Sequence, residues 1–403
     1  MSDTLDLAMQ PPSKPARETR GAPVAGACAP ARGPQSVDFN RDVHCIFGLP
    51  FDATSLERAA EQVRTAALAG RPMFLSTPNV NWVVTARDNP AFRASVVHSD
   101  LSIADGAPIV WAARLLGLPI RERVAGSDLF DRLRTSSGTP LNAYFFGGME
   151  SAAPTASAQL NAEGRGLRGA GGESPGVASV AELSHDDYIA RINASGAHML
   201  IVALGAQKGQ AWIERNRPAL TPGVVTHLGA VVNFASGRLR RAPAWARRIG
   251  VEWIWRCLTE HGLWRRYWND GLVFSSLLVR RLLPLVWMLR IAPAGSAPAP
   301  GRVALLESTA QPVLNIAGGW RAQDSSVLRA ALRHAASLPT PPRLVFERGT
   351  RIDLGIVALL LLMEGACEQR GLATPTIVSH DRWIFRLLTL CGLHPTAATD
   401  SPP

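Results

Sequence analysis

Between residues 43 and 235, apolar runs of five to eight residues alternate with stretches whose apolar residues recur at helical spacing. The runs are "MFLST" (73–77), "LSIAD" (101–105), "NAYFFGG" (142–148), "HMLIVALG" (198–205) and "GVVTHLG" (223–229). Among the segments between them are "VNWVVTARD", "APIVWAARLLG", "SDLFDRLRTS" and "GQAWIERNRP". Runs this short and this apolar suit strands buried on both faces, and the intervening helices supply the cover. The pattern predicts an α/β fold built on a Rossmann-like parallel sheet. The chain has 403 residues, 47% of them hydrophobic, enough for more than one core. No GxGxxG follows a strand, so a dinucleotide site is not supported. The Gly-rich stretch 164–176, "GRGLRGAGGESPG", reads as a flexible loop.

In a parallel sheet, ligands bind beyond the carboxyl ends of the strands, where helix N-termini also favour anions. Three polar residues fall at such ends: Thr77 and Asn79 after "MFLS", and Asp105 after "LSIA". Asp105 stands where a strand stops and the helix of "APIVWAARLLG" starts. That address serves a catalytic carboxylate, and equally a turn or N-cap aspartate.

Formal net charge is +10. Between Arg238 and Arg290 there are eleven arginines against Glu252, Glu260 and Asp270, a local excess of 11 − 3 = +8. Such a segment attracts phosphates. It ends in "GLVFSSLLVRRLLPLVWMLRIA" (271–292), where Arg280, Arg281 and Pro284 interrupt an otherwise apolar stretch. The expectation is a helix lying on a membrane surface with its arginines reaching lipid phosphates, the alternative being an ordinary core helix. Interleaved Leu, Val and Trp suit lipid better than a base-reading surface, so no nucleic-acid partner is expected. The five cysteines, at 28, 45, 257, 367 and 391, show no metal-ligand spacing and read as reduced core thiols. The N-terminus has no apolar signal segment.

The order of motifs resembles the WecG/TagA/CpsF glycosyltransferases. The residues that carry the likeness are "TPNVNW" (77–82), "ADGAP" (104–108) and "ERVAGSD" (122–128), then "LGAVVNFASG", Arg-Ala-Pro, Glu-Trp and Arg-Arg-Tyr, over roughly 45–268. The resemblance implies an inverting transfer without a metal or other cofactor. A sugar passes from a UDP-sugar to a sugar on undecaprenyl diphosphate, in exopolysaccharide or surface-glycan synthesis. The enzyme would sit in the cytoplasm, peripheral on the inner face of the membrane. It makes Asp105 the general base and Thr77 and Asn79 positioning groups for the sugars. Arg123 becomes a phosphate or sugar contact, and Arg256, Arg265 and Arg266 reach the diphosphates. Guanidinium forks can offset leaving-group charge. The chain has no Asp-x-Asp, the usual metal–nucleotide pair of other glycosyltransferases. One motif departs. Where the family carries Pro-x-Gln-Glu, this chain has "AQKGQ", with Gly209 at the Gln and Gln210 at the Glu; Gln207 or Gln210 would substitute. Asn233 stands where many members have Asp.

The expected organisation is a disordered leader (1–42), the transferase core (43–237) and the Arg-rich membrane-associating appendage (238–292). A Pro/Ala linker (293–301) and a small C-terminal α/β unit (302–398) complete the chain. The last unit resembles a STAS domain. Its helix start has Leu354 and Gly355 after Asp353 where that family carries Ser and then a spacer, so a phosphoswitch is not expected and docking of a protein partner is, the alternative being an appendage that only stabilises the fold. A non-catalytic membrane adaptor, recruiting polysaccharide-assembly partners through this unit, is the competing reading.

Overall fold

The computed structural model describes residues 37–237, 255, 263–291, 298–308 and 311–397. A hairpin opens the fold, β1 (Val43–Ile46) with β2 (Leu49–Asp52). Then follow α1 (Leu56–Leu68), β3 (Met73–Ser76), α2 (Val80–Asp88), α3 (Pro90–Val97), β4 (Leu101–Ser102), α4 (Ala107–Leu116) and α5 (Gly126–Arg134). After these come β5 (Leu141–Gly147), α6 (Ala152–Glu163), β6 (Leu167–Glu173), α7 (Asp186–Ala194), β7 (Met199–Ala203), α8 (Ala206–Asn216), β8 (Val224–His227) and α9 (Val231–Ala235).

Strands β3 to β8 form one six-stranded sheet in the order β4-β3-β8-β7-β5-β6, every pair parallel. This is the Rossmann-like layer the alternation predicts. Successive residues of a strand point to opposite faces. Met199, Ile201 and Ala203 of β7 accordingly meet α1, α5 and α6 on one side. Leu200 and Val202 meet α7 and α8 on the other, where the Trp212 ring stacks 4.8 Å from Phe146.

The Gly-rich stretch is not a loop. Residues Leu167–Glu173 form the edge strand β6. A Cβ on Gly169 would collide with Ser157, and one on Gly172 would stand 2.7 Å from the Ala153 backbone. The glycines are there because α6 lies directly on the strand.

The boundaries shift as well. Residues 1–36 of the expected leader lie outside the described residues, but its last six do not behave as a leader. Phe39 is buried, and Arg41 grips Asp52 at 2.6 Å. Of the expected linker, residues 298–301 are described and packed: Pro300 pairs with Gly319.

Beyond the linker come β9 (Arg302–Leu306), β10 (Val313–Ala317), β11 (Gly319–Trp320) and α10 (Ser326–Ser337). They are followed by β12 (Arg343–Phe346), β13 (Arg351–Ile352), β14 (Thr376–Ser379) and β15 (Thr396–Ala397). Their main sheet runs β15-β14-β12-β10-β9, parallel except for β9. Two more helices pack on it, here called P (Leu354–Gln369) and Q (Arg382–Leu390). Helix P is apolar on all sides, and such a helix must be buried on all sides. One flank meets the C-terminal sheet; the other meets β1, β2 and α3, in one continuous core. Gly365 permits the approach, since a Cβ there would stand 3.0 Å from Val97 Cγ1. The C-terminal unit is therefore fused into the transferase core.

Residues Trp264–Arg290 form one 27-residue helix, long and apolar enough to cross a membrane. It has π-helical turns at Leu278–Leu282 and Trp287–Ile291. Phe274, Leu277, Leu282, Leu285 and Met288 are buried in the protein core, whereas Trp264, Trp268, Leu272, Val279, Leu283 and Trp287 are exposed. One side of the helix is thus packed as in an ordinary core helix, and the other is exposed. Two of its arginines reach neighbouring elements: Arg281 lies against Gly392, and Arg290 against Gly117.

Candidate active site

The carboxyl ends of β3 and β4 are zipped together past the last ladder pair. Ile103 N–H donates to the Ser76 carbonyl at 3.0 Å, and Asp105 N–H to the Pro78 carbonyl at 3.1 Å. Val124 N–H donates to the Ala104 carbonyl at 3.0 Å, which brings the Arg123 segment alongside. Asp105 is thus fixed by its backbone at the sheet edge, half-buried. It is not the helix cap. Gly106 occupies that position with φ +130°. Few residues other than glycine adopt that φ. A Cβ on Gly106 would stand 3.9 Å from Asn79 Cβ, so the two strand ends meet at this corner.

Asn79 caps α2, its Oδ1 accepting the Trp82 N–H at 3.3 Å. Thr77 is buried, and α5 begins directly on it: a Cβ on Gly126 would stand 3.2 Å from Thr77 Cγ2 and 2.5 Å from Leu228 Cδ2. Arg123 bonds Asp128 of α5 at 2.6 Å, both side chains about one-fifth exposed. The structure therefore gathers Thr77, Asn79, Asp105 and Arg123 around the ends of two adjacent strands.

Gln207 is exposed in the first turn of α8, beyond the end of β7. Gln210 is not placed to touch a substrate, contrary to expectation. It is fully buried, and its Nε2 donates to Ser76 Oγ at 2.8 Å. Gln207, three residues earlier, lies in the exposed first turn of the same helix. Asn233 accepts the Met149 N–H at 3.1 Å at the end of β5.

Arg256 lies outside the described residues. Arg265 and Arg266 are exposed at the start of the long helix, lying over the rings of Trp264 and Tyr267 at 5.5 and 5.4 Å. That helix is held to α2 by Asp270, which accepts from Asn81 Nδ2 at 3.0 Å. Burial raises the Asp270 carboxyl above its usual range, against the pull of Asn81 and Arg266. The arginines thus stand beside the helix that Asn79 caps.

The sequence reading overlooked His227. It ends β8, is buried, and its Nε2 has no partner. Burial pushes its pKa down to about 4, so it is neutral at physiological pH. Its ring fills the space beside Gly209, where any Cβ would collide with it. The signal was a lone histidine inside an otherwise apolar strand. Among the described residues no group of three or more His, Cys, Asp or Glu side chains is arranged to hold a metal.

Residues 44–297, well over half the chain, match the sequence profile of the glycosyl transferase WecG/TagA/CpsF family. The chain belongs to that family. Two similar proteins are both named N-acetylglucosaminyldiphosphoundecaprenol N-acetyl-beta-D-mannosaminyltransferase. The one from Bacillus spizizenii is 28% identical over 194 residues, 48% of this chain and 74% of its own length. The one from Staphylococcus aureus is 23% identical over 224 residues, 55% of this chain and 85% of its own. In this WecG/TagA/CpsF member, Gly209 of the "AQKGQ" run lies against the His227 imidazole of β8.

Proposed function

We propose that this chain transfers a sugar from a UDP-sugar to an undecaprenyl-diphosphate-linked sugar with inversion, in exopolysaccharide or surface-glycan synthesis. The observation that carries the reading is the corner at Asp105. Two strand ends and the Arg123 segment converge on this half-buried carboxylate, and the position that caps the following helix is taken by Gly106. In the reaction, Asp105 takes the proton of the acceptor hydroxyl as that oxygen bonds to the anomeric carbon. The bond from that carbon to the UDP phosphate oxygen breaks, and its electron pair leaves with the diphosphate. One base facing the leaving group suffices for inversion. Thr77 and Asn79 position the sugars, Arg123 holds a phosphate or sugar, and Gln207 contacts the donor. Arg256, Arg265 and Arg266 offset the diphosphate charge, and no metal is required of the protein. The names of the two relatives favour N-acetylmannosamine as donor sugar and lipid-linked N-acetylglucosamine as acceptor.

The enzyme works peripherally on the inner face of the membrane, with the exposed Trp and Leu side of its long helix against lipid. The C-terminal unit is STAS-like and docks a protein partner. Supporting the STAS likeness are the one antiparallel and three parallel strand pairings of its main sheet and a helix that starts at the Asp353 cap.

The test is transfer from a panel of UDP-sugars to a synthetic polyprenyl-diphosphate N-acetylglucosamine, comparing wild type with Asp105→Asn. Turnover with one donor that falls about 10²–10⁴-fold in the variant is expected for loss of a general base. Unchanged activity removes Asp105 from the mechanism. The altered "AQKGQ" run favours the adaptor reading, and absence of both turnover and UDP binding would establish it.

A further inference from the structure

A cavity of about 480 Å³ lies between the transferase core and the C-terminal unit, away from the Asp105 corner. Its walls come from the turn after α4 (Leu118, Pro119, Arg121), the end of the long helix (Leu289), the hairpin (His44) and the C-terminal unit (Arg321, Gln323, Asp353). A volume of this order suits a drug-sized or nucleotide-sized molecule.

Three features give it a chemistry. First, His44 has a side chain only 8% exposed, with Nε2 on Asp42 at 3.1 Å and Nδ1 without a partner. A buried polar atom left so calls for an external partner. With Nε2–H given to Asp42, Nδ1 is an acceptor, so the ligand must bring a hydroxyl or N–H. Second, Arg121 and Arg321 flank the cavity from opposite units, both exposed. Guanidinium groups of this kind match phosphate oxygens in pairs. Third, Asp353, the acidic wall residue, has its charge engaged. Its Oδ1 accepts from Ile356 N–H and its Oδ2 from Ala322 N–H, each at 2.9 Å.

We propose that this cleft is a second binding site, for a phosphate ester carrying hydroxyl groups, which braces the two units against each other. Phosphate meets Arg121 and Arg321, a hydroxyl donates to His44 Nδ1, and the carbon skeleton lies on Leu118, Pro119 and Leu289. A soluble sugar phosphate and the glycerophosphate headgroup of a membrane lipid share this chemistry. The long helix ends at the cavity and exposes Trp287 two residues before Leu289, so either source can reach it. The site does not depend on the proposed transfer reaction.

The experiment uses the full chain with saturating UDP, so that any nucleotide site in the transferase core is filled. Equilibrium binding is measured for glucose 1-phosphate and, separately, for phosphatidylglycerol in phosphatidylcholine vesicles. Wild type is compared with Arg321→Ser, Arg121→Ser and the charge-matched control Arg343→Ser, an exposed arginine elsewhere on the C-terminal unit. The dissociation constant for at least one probe is expected to rise roughly tenfold in both cavity variants, as for loss of one charge-assisted contact, and not in the control. Dependence with glucose 1-phosphate identifies a soluble ligand; dependence on vesicles alone identifies the headgroup. The proposal is overturned if wild type binds neither probe, or if the control matches the cavity variants on both.

Discussion

His98 ties three elements together, and its removal has a calculable effect. The residue follows α3. Its Nδ1 meets Glu214 of α8 and its Nε2 meets Glu368 of helix P, each at 3.1 Å. Its backbone carbonyl accepts from Gln369 at 3.4 Å and Arg217 at 3.5 Å. Burial alone would lower its pKa, but the two carboxylates outweigh burial and raise it from 6.5 to about 9. A folded-state value above the unfolded one gives stability that is full below pH 6.5 and lost as pH rises through 9. The linkage is worth about 3 kcal/mol at pH 6, about 2 at pH 7.5 and almost nothing at pH 10. The variant to make is His98→Ala, and the assay is urea unfolding of both proteins at each pH. Taking the difference cancels the titration of every other group. The gap between wild type and variant should shrink by about 2 kcal/mol from pH 7.5 to pH 10. Parallel pH profiles would show that His98 is not held as a cation and would refute the argument.

Two further outcomes follow from packing. Gly209→Gln should cost about 1–3 kcal/mol because its side chain enters the space of His227, and adding His227→Gly should recover at least about 1 kcal/mol of it. Strict additivity in urea melts would contradict that exchange. Trp268→Ser with Trp287→Ser should leave the melting temperature unchanged, because these side chains are 68% and 51% exposed. Partitioning onto anionic vesicles should fall about tenfold or more, from burial worth at least about 1 kcal/mol per indole; equal partitioning would place lipid elsewhere.

Much of this architecture is legible in the chain. The central strand β7 is a continuous apolar run and β5 nearly one, and the polar residues that close β3 and β4 mark the corner where Thr77, Asn79 and Asp105 stand. What escaped reading had a physical reason each time. Strand β6 is written in glycine, because α6 presses on it, and glycine carries no periodicity. Gln210 was assigned by motif position, but it lies further along α8 than Gln207, where the helix packs onto the sheet, and is buried. Helix P announces by composition that it is buried, yet nothing local says that its second flank is covered by β1. His227 reads as one polar residue in a strand until its neighbour across the fold is seen to be Gly209.

The core that joins the hairpin to helices P and Q also sets an order of events in synthesis. Cys45 Sγ lies 3.9 Å from the carbonyl of Cys391, a partner 346 residues later in the chain. At translation rates of about 5–20 residues per second, the hairpin emerges about 20–70 s before the residues that cover it exist. During that interval its apolar side faces water or a chaperone. The first element made is among the last to be completed, so a ribosome that stalls before helix P leaves behind a transferase with an open flank.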